Sequence, residues 1–295
     1  MGMAKWLCYA PTPMSDYPTL TLKFGSEVHL KNKHHSIFRT AFGPMPDIEN
    51  GSIVRVVSSA GDFLCFASFN KKAYISGRVI SFEDGDPLVN LRRTMKRSIE
   101  LRSQFLSEKD TTALRLINAE GDGIPGLIVD RYGDVLVVQI TTLGMDRLRP
   151  WIINTLADLC HTELIFEKST GPTRKKEGLE PRELWLRGKG PETITVVENG
   201  LKFFVDIENG QKTGYFLDQQ DNRRAIQHIV NNADVLGAFT YTGTFEIHAA
   251  HYGAKSVLGL DISKLAVEQA NENARLNGLQ DRCRFEEANA FDVLK

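Results

Sequence analysis

The spacing of hydrophobic positions changes along the chain, and the first change separates a β-rich segment from a helix. Between Thr19 and Phe82, short apolar runs alternate with turn residues, which predicts a small β-barrel. The predicted strands are Thr21–Phe24, Ile53–Ser58, Phe63–Phe69 and Ser76–Ile80. From Pro87 to Lys109 the apolar residues recur at three and four positions, so an amphipathic helix that begins with a proline is expected.

A mixed segment of strands and helices follows. Leu127–Asp130 and Val135–Ile140 are predicted to be two strands of a hairpin, because the turn residues Tyr132-Gly133-Asp134 lie between them. Arg147–His161 has the pattern of a helix, and Glu163–Lys168 that of a strand. Ser169–Lys189 has no period and is predicted to be an irregular polar connection.

The last hundred residues have the alternating strand and helix pattern of a parallel α/β sheet. Val235–Phe239 is a short apolar run suited to a strand buried on both faces, and Thr240–Thr244 is a loop of small and polar residues. The elements predicted around this strand are an edge strand or hairpin at Leu201–Ile207, a helix from an Asp218 N-cap through Ile229, a helix at Phe245–Tyr252, a strand at Ser256–Leu260 that ends on Asp261, a helix from Ser263 through Asn277, and a strand at Arg282–Glu286.

The loop Thr240–Thr244, after the strand Val235–Phe239, has features of a ligand-binding loop. A small-residue loop at the carboxyl end of a parallel strand lets a ligand approach the backbone, and the next helix presents free N–H groups. Asp261, at the end of the second strand, could accept both hydroxyl hydrogens of a ribose. The loop has one glycine, Gly243, so it does not match the G-x-G-x-x-G dinucleotide fingerprint. These residues alone leave two readings open: a nucleotide site, or an ordinary α/β unit in which Asp261 caps the next helix.

Sequence motifs on either side of this loop resemble those of a known family. Residues 210–226 read GQKTGYFLDQQDNRRAI, the core strand continues as FTYTG, and the second strand ends in DIS. Upstream, residues 120–134 read EGDGIPGLIVDRYGD. Together with the strand runs of the first segment, these strings resemble the class I S-adenosylmethionine-dependent RNA methyltransferases that carry an N-terminal PUA-like domain. The best-known members of that family make 5-methylcytosine in large-subunit ribosomal RNA.

The resemblance implies a fold and a domain organisation. The fold class is a Rossmann-like α/β class I methyltransferase domain, preceded by a small β-barrel PUA-like domain and an α+β middle domain. The predicted boundaries are a loose tail at 1–18, the PUA-like RNA-binding domain at 19–86, the middle domain at 87–194, and the N-terminal part of the S-adenosylmethionine-binding domain at 195–295.

The resemblance also implies S-adenosylmethionine as the methyl donor, with ten residues at its site. The segment matching Gly214–Arg223 folds over the donor, so that two of its residues line the pocket and one braces the loop. Four core-loop residues wrap the methionine part, one carboxylate holds the ribose hydroxyls, and two residues contact adenine. In that order they are Asp218 and Gln219; Arg223; Phe239, Tyr241, Thr242 and Gly243; Asp261; and Ile262 and Asn289.

Three positions depart from the family pattern. The family usually has Asn or Asp where Gly237 stands, and a second glycine where Thr244 stands. Its basic Arg-Gly-His-Pro-Trp-type segment is replaced by the sequence KHHSIF at 33–38, where the two histidines are expected to lie in a solvated loop. The first two departures bear on donor binding, and the third bears on how the PUA-like domain would bind RNA.

Charge bears on the RNA partner only locally, because the formal net charge is −1. Arg92, Arg93, Lys96 and Arg97 place four positive charges within six residues that contain no acid, and such a density attracts a phosphate backbone. A second predicted RNA-binding cluster is Arg174, Lys175 and Lys176. Both clusters also have a simpler reading, as a solvated helix face and as a surface connection.

Bulk composition narrows the class of protein. The chain has 295 residues, of which 42% are hydrophobic and 25% charged, as in ordinary globular proteins. No apolar run reaches the roughly 18–20 residues that cross a bilayer, and no signal-peptide pattern is present, so a cytoplasmic location without membrane contact is expected. The four cysteines include no C-x-x-C pair, so no metal site is predicted.

The residues before Lys295 include no candidate for the catalytic nucleophile. Methylation at cytosine C5 needs a cysteine that adds to C6, since C5 itself is a poor nucleophile. The family carries this cysteine after Pro, and a D-P-P-type motif after the fourth strand, but neither motif precedes Lys295. Cys283 begins a predicted strand and is expected to lie in the core. The expectation is therefore a fragment or a truncated, inactive gene product, with no catalytic residue assigned.

Three classes of function remain to be separated. A methyltransferase acting on a base of ribosomal RNA is favoured, and cytosine C5 of the large-subunit RNA is the expected target. A small-molecule methyltransferase would leave the N-terminal domains without a purpose. A non-catalytic RNA-binding protein would fit the missing motifs. The sequence leaves open whether the protein forms a homodimer.

Overall fold

The computed structural model describes residues 17–44, 47–105, 110–191 and 193–295. The chain divides into two compact units. The first contains residues 1–105, 115–130 and 134–190, and the second contains residues 106–114, 131–133 and 191–295. Within the described part of the chain, no helix is long and apolar enough to cross a membrane.

The first sheet of unit 1 has five short strands. They are β1 (Thr19–Thr21), β2 (Ser36–Phe38), β3 (Ile53–Val57), β4 (Phe63–Phe69) and β5 (Ile75–Ser81), with helix α1 (Val28–Lys31) between β1 and β2. The strand order is β1-β3-β4-β5-β2, in which β1 pairs with β3 in parallel and the other pairs are antiparallel. Leu22, Val56, Phe69 and Val79 belong to the buried core of this sheet.

The predictions for β3, β4 and β5 are confirmed. The two edge strands differ: β1 was predicted at the wrong residues and β2 was not predicted. The prediction Thr21–Phe24 lies too late in the sequence, because β1 ends at Thr21 and Phe24 is exposed. Ser36–Phe38, which follows the two histidines, pairs with β5 as a strand rather than lying in a loop. His35 packs against Phe82 with a ring-centroid distance of 5.2 Å, so only His34 has the solvated position that was expected for both.

The second sheet of unit 1 is preceded by an amphipathic helix, α2 (Pro87–Phe105), which confirms the predicted helix as far as Phe105. The last four predicted positions, 106–109, lie outside the described residues. The elements that follow are β6 (Ala113–Asn118), β7 (Leu127–Tyr132), β8 (Val135–Ile140), α3 (Leu143–Arg147), α4 (Arg149–Cys160), β9 (Leu164–Ser169), α5 (Pro172–Lys176) and β10 (Arg182–Arg187). The strand order is β10-β9-β8-β7-β6, so the predicted β7–β8 hairpin is confirmed.

The prediction of an irregular connection over Ser169–Lys189 was wrong. It contains α5 and β10, and β10 pairs antiparallel with β9 along most of its length. Because β10 lies at the edge of the sheet and is half-exposed, its side chains do not alternate between buried and exposed positions. Pairing with β9, rather than a sequence period, therefore defines this strand.

Unit 2 begins with the predicted hairpin, β11 (Thr193–Glu198) and β12 (Leu201–Asp206). The elements that follow are α6 (Gln220–Ala225) between the 3-10 turns Leu217–Gln219 and Ile226–His228, then β13 (Asp234–Ala238), α7 (Thr244–His251), β14 (Ser256–Asp261), α8 (Lys264–Leu276), β15 (Cys283–Glu287) and α9 (Ala290–Val293). The last three strands form a parallel sheet in the order β13-β14-β15. This is the Rossmann-like arrangement that the sequence predicts.

Helix α8 follows its prediction closely. The Ser263 hydroxyl accepts a hydrogen bond from the N–H of Ala266 and caps the first turn. Gly278, at a φ of +67°, ends the helix, and the N–H of Leu279 donates to the carbonyl of Ala274. The stripe formed by Ala266, Ala270 and Ala274 is buried, as expected.

Strand β13 differs from its prediction. The sequence indicates a strand buried on both faces, but the residues of β13 are exposed or half-buried, and Leu236 is 47% exposed. Among the described strands, β13 lies at one edge of the three-stranded sheet and β14 lies in the middle. An apolar run therefore identified the strand correctly but not its position in the sheet.

Candidate functional site

The carboxyl ends of β13, β14 and β15 lie at the same edge of their sheet, because the three strands are parallel. The loop 239–243 follows β13, Asp261 ends β14, and Asn289 follows β15. Three of the predicted functional positions are therefore brought together by topology.

The backbone of the loop after β13 has an unusual conformation. Phe239, Tyr241 and Gly243 have φ values of 61°, 50° and 75°. Left-handed backbone normally favours glycine, and a bulky residue adopts it only where the surrounding structure enforces it. The loop therefore has the alternating left-handed turns of a glycine-rich ligand loop, although two of the three residues are aromatic.

Neighbouring elements hold this loop in place. The N–H of Thr240 donates to the carbonyl of Leu260 (3.0 Å), and the N–H of Gly243 donates to the carbonyl of Thr240 (3.0 Å). The Tyr241 hydroxyl accepts a hydrogen bond from the N–H of Gln211 (2.9 Å), which ties the GQKTG segment to the loop. Thr242, inside the loop, is buried and its carbonyl accepts from Asn273 (3.1 Å).

Asp261 is the hub of this arrangement. Its Oδ2 accepts a hydrogen bond from the N–H of Tyr241 (2.8 Å), and its Oδ1 accepts one from the N–H of Ser263 (2.9 Å). The two readings of Asp261 are therefore compatible, because the carboxylate fixes both the loop and the start of α8. A carboxylate oxygen accepts more than one hydrogen bond, and Asp261 is only half-buried, so acceptor capacity remains for ligand hydroxyls.

Three large apolar side chains stand exposed at the same strand ends. Phe239 is 62%, Ile262 76% and Phe291 67% exposed, and the rings of Phe239 and Phe291 lie 5.4 Å apart between centroids. Asn289 accepts a hydrogen bond from the N–H of Phe291 (3.0 Å) and thereby caps α9. Clustered exposed apolar side chains are typical of an interaction or ligand-binding surface. The sequence reasoning missed Phe291, and an aromatic residue two positions after Asn289 was the available signal.

In the segment GYFLDQ, the predicted helix cap at Asp218 is wrong, whereas the predicted place of Asp218 and Gln219 in the donor pocket stays a prediction. Asp218 does not cap a helix, because the chain makes a 3-10 turn there, α6 begins at Gln220, and no side chain caps it. The exposed carboxylate of Asp218 lies 3.5 Å from Nζ of Lys212. Gln219 accepts a hydrogen bond from Asn222 (2.9 Å). The predicted N-cap therefore lies one residue before the observed N-cap position, Gln219.

Arg223 braces the segment from below. Its guanidinium is buried and donates to both carboxylate oxygens of Glu198 (2.5 and 2.8 Å) and to the carbonyl of Phe216 (2.9 Å). A buried, fully engaged guanidinium does not reach a ligand, so its expected role as a brace, rather than as a ligand contact, fits these bonds.

His248 completes the buried cluster around Glu198. Its Nδ1–H donates to the carbonyl of Thr244 (2.7 Å), and its Nε2 lies 3.7 Å from Oε1 of Glu198. Burial lowers the pKa of His248 from 6.5 to about 4, so the imidazole is neutral at neutral pH.

Two of the described cysteines, Cys65 and Cys283, are unsuited to act as a catalytic nucleophile. Burial raises the pKa of both Cys65 and Cys283 to about 12, which keeps these thiols protonated and unreactive. Cys283 lies in the core of its sheet, as the sequence indicated. Cys160 is half-buried, and Cys8 lies outside the described residues. Among the side chains that the structure describes, no group of three or more His, Cys, Asp or Glu could hold a metal ion.

The basic face of α2 is exposed but partly neutralised. Arg92 pairs with Asp158, Arg93 with Glu83 (2.7 Å) and Lys96 with Glu100 (3.5 Å), and Arg97 is exposed. The sequence window contains no acid, yet folding brings two carboxylates from elsewhere in the chain. RNA contact by this face stays a prediction.

The second basic cluster needs a correction at Arg174. This residue is 2% exposed, and its guanidinium donates to the carbonyls of Ile140 (2.6 Å) and Glu180 (2.8 Å) and to Asp146 (3.1 Å). Its charge is therefore used inside the fold and is not available to a phosphate group. Lys175 and Lys176 are exposed, so RNA contact by these two lysines stays a prediction.

Two protein families match the chain. Residues 177–292 match the S-adenosylmethionine-dependent methyltransferase family, and residues 20–82 match the PUA-like domain family. A Streptococcus mutans structure described as a SAM-dependent methyltransferase is 25% identical, covers 94% of this chain and 72% of its own, and has a TM-score of 0.76. A methyltransferase structure complexed with SAH has a TM-score of 0.78 at 24% identity, which supports the fold alone. The fold and the site thus define an S-adenosylmethionine-dependent methyltransferase that carries a PUA-like domain.

Curated relatives make the assignment more specific. Ribosomal RNA large subunit methyltransferase I of Alteromonas mediterranea is 36% identical over 270 residues, which are 90% of this chain and 68% of the relative. The protein of the same name from Shewanella denitrificans is 36% identical over 94% of this chain and 71% of its own length. This chain belongs to the ribosomal RNA large subunit methyltransferase I family, and its methyl donor is S-adenosylmethionine.

Proposed function

We propose that this protein transfers a methyl group from S-adenosylmethionine to a base of ribosomal RNA, and that the base is a cytosine of the large-subunit RNA, methylated at C5. The observation that carries the proposal is the joint occurrence of the site at the ends of β13–β15 and a PUA-like domain in one chain. The names of the relatives support the large-subunit RNA as the substrate.

The strand ends supply complementary groups for each part of the donor. Phe239, Ile262 and Phe291 offer an apolar slot for the adenine ring, with the Asn289 amide beside it. Asp261 would accept hydrogen bonds from the ribose hydroxyls. The loop 241–243 and the segment containing Asp218 and Gln219 would enclose the methionine part. Every one of these groups lies within unit 2.

The bound donor would supply an electrophilic methyl group on its sulfonium. The described residues bind and orient that donor, and the left-handed loop exposes backbone groups to it. C5 methylation also requires a thiolate that adds to cytosine C6. We assign no such nucleophile, because burial keeps the thiols of Cys65 and Cys283 protonated and nothing else marks a described cysteine for this role.

RNA binding would draw on exposed basic side chains. We propose Arg92, Arg93, Lys96 and Arg97 on α2, together with Lys175 and Lys176, as phosphate contacts. The division into a PUA-like domain at 19–86, a middle domain at 87–194 and a methyltransferase domain from 195 is part of the same proposal. Cytoplasmic location and dimer formation stay predictions.

The test is methyl transfer from labelled S-adenosylmethionine to unmodified large-subunit ribosomal RNA, followed by nucleoside analysis. Label in 5-methylcytosine would support the full proposal. Label in another nucleoside would contradict the C5 assignment and leave the RNA substrate intact. Donor binding, measured separately by calorimetry, distinguishes an incomplete catalytic site from a failed donor site. RNA binding without any transfer would favour the non-catalytic alternative.

A further inference from the structure

Helix α7 places an acidic side chain where strand β13 has none. Gly237 is the penultimate residue of β13, and a Cβ atom built on it would lie 1.7 Å from Oε1 and 2.6 Å from Cδ of Glu246. Glu246 is the third residue of α7 and is 4% exposed. The carboxyl group of Glu246 therefore occupies the volume that a side chain at position 237 would fill.

The carboxyl group of Glu246 is not fully satisfied by the protein. Within the described residues, no hydrogen bond of ordinary geometry reaches Oε2 of Glu246 or the hydroxyl oxygen of Thr240, and both atoms are buried. The Thr240 hydroxyl is nevertheless a near polar neighbour of the carboxyl group: burial raises the pKa of Glu246, and this contact offsets the rise in part. A buried polar atom without a partner costs free energy, so such a group in a native protein calls for an explanation. Oε2 of Glu246, beside the loop 239–243, therefore has acceptor capacity for a polar or charged group of the ligand.

The surroundings of Glu246 decide which charge that group would carry. Glu246 lines a cavity of about 350 Å³ with Phe239 and Thr240 of the loop, and it is the one charged residue among the cavity's described lining residues. The 3-10 turn after α6 contributes Ile226 to this lining, and the residues just after the turn contribute Ile229 and Val230, so this wall is apolar. The other titratable groups that face Glu246 are Asp261 on β14 and Cys283 on β15.

Burial and the charge of Asp261 both disfavour an ionised Glu246 in the free protein. Burial, and to a lesser extent the negative charge of Asp261, raise the pKa of the Glu246 carboxyl above its ordinary value. The Cys283 thiol stays neutral, because burial raises its pKa to about 12. No described cation faces the carboxyl, so a cationic ligand would be its first counter-ion.

We propose that Glu246 is a positioning residue for the methyl donor, whose carboxyl group loses its proton to solvent when the donor binds and then pairs with the positive charge of the donor's methionine part. S-adenosylmethionine carries an ammonium group and a sulfonium in that part, next to the loop that Glu246 supports from below. The inference rests on the proposed donor site. It adds to that site a carboxyl group from helix α7, at the place where a side chain of residue 237 on strand β13 would otherwise lie.

The proposal predicts that protons are released when S-adenosylmethionine binds, and this release can be measured. Since the pKa of Glu246 is raised in the free protein and falls in the complex, donor binding releases protons below the raised pKa. Affinity for S-adenosylmethionine then increases with pH and levels off once Glu246 is ionised in the free protein. A residue that only fills space would give no such dependence.

The experiment is isothermal titration of the full chain with S-adenosylmethionine from about pH 5 to about pH 8, in two buffers that differ in ionisation heat. The wild-type protein should release protons at the acidic end, and its Kd should fall by about tenfold per unit of pH where one proton is released. Glu246→Gln, which has the same shape and no charge, should release none and should bind about tenfold more weakly at the upper end. Equal pH slopes for the two proteins, or no proton release by the wild type, would overturn the proposal.

A swap variant tests the position of the carboxyl group. Glu246→Ala should weaken donor binding, and adding Gly237→Asp to it should restore most of the affinity by supplying the acid from the strand. A double variant that binds no better than Glu246→Ala would contradict the assignment. Donor binding by the wild type tests the proposed function itself, so failure of the Glu246 proposal is distinguishable from failure of the donor site.

Discussion

At the scale of single residues, Asp261 holds the loop 239–243 and the start of α8 in place, which its position at a strand end does not indicate. Its two carboxylate oxygens already accept the N–H groups of Tyr241 and Ser263 in the structure. The carboxylate therefore shapes the donor loop before any ribose reaches it. Loss of this side chain would remove the support of the loop, together with the ribose contacts that we propose for it.

We expect Asp261→Ala to weaken S-adenosylmethionine binding by at least tenfold, because charge-assisted hydrogen bonds would be lost. Calorimetric titration measures the effect. Asp281→Ala is the matched control, since Asp281 is an exposed acid in the same unit. Unchanged affinity in Asp261→Ala would remove Asp261 from the donor site.

His248 gives the protein a stability change in mild acid. The folded-state pKa of His248 is about 4, against 6.5 for a free histidine, so the unfolded chain binds one more proton between these values. Its contribution is complete above pH 6.5 and is lost as the pH falls toward 4. Between pH 7 and pH 5 the expected loss in free energy of unfolding is about 2 kcal/mol.

Urea unfolding of the wild type and of His248→Gln at both pH values checks this expectation. The variant should lose less stability between pH 7 and pH 5 than the wild type does. His228→Gln, at an exposed position, should behave like the wild type. The same pH dependence in all three proteins would show that His248 does not titrate as a buried group.

At the scale of elements, the loop after β13 adopts left-handed backbone without the glycines that usually mark it. The glycine fingerprint is absent, yet the backbone is left-handed at Phe239, Tyr241 and Gly243. Hydrogen bonds to Leu260 and Asp261 enforce this conformation from the neighbouring strand. Only Gly243 also lacks room for a side chain, because a Cβ there would lie 2.7 Å from Phe285 and 3.0 Å from Ala270.

Two glycine variants separate backbone strain from crowding. Gly278→Ala, at a φ of +67° with open space around it, should cost only about 1 kcal/mol of stability. Gly243→Ala, at a φ of +75°, should cost about 2 kcal/mol more, because it also overpacks the contact between β15 and α8. Thermal and urea unfolding give both values. Equal costs would show that the neighbours of Gly243 move aside easily.

At the scale of the whole molecule, charge is balanced overall but not locally. The net charge of −1 gives no general attraction for RNA, so any affinity must come from patches such as the α2 face. Folding brings Glu83 and Asp158 onto that face, where they pair with Arg93 and Arg92. The strength of the patch is therefore set by tertiary contacts as well as by its sequence.

Replacement of Arg92, Arg93, Lys96 and Arg97 by glutamine should lower RNA affinity and flatten its dependence on salt, because fewer counterions would be released. Filter binding of ribosomal RNA over a range of salt concentrations gives the slope. Glu83→Gln with Asp158→Asn is the opposite control and should steepen the slope, since it frees two arginines. An unaltered slope in the first variant would mean that this face is only solvated.

Local sequence determined those parts of the protein whose information lies within a few residues. The period of α2, the caps of α8 at Ser263 and Gly278 and the β7–β8 hairpin all depend on near neighbours, and all are confirmed. The strings around residues 210–226 and 239–243 identified the family for the same reason, because they are contiguous.

Tertiary structure alone decided what depends on distant partners. The edge strand β10 exists through its pairing with β9, and the exposure of β13 follows from its place in the sheet. Arg174 can be buried because the carbonyl group of Ile140 and the carboxylate of Asp146, both distant in the sequence, accept hydrogen bonds from its guanidinium. Glu246 fills the space over Gly237 because a helix returns to the strand. No local pattern encodes these contacts, since each joins residues that only the folded chain brings together.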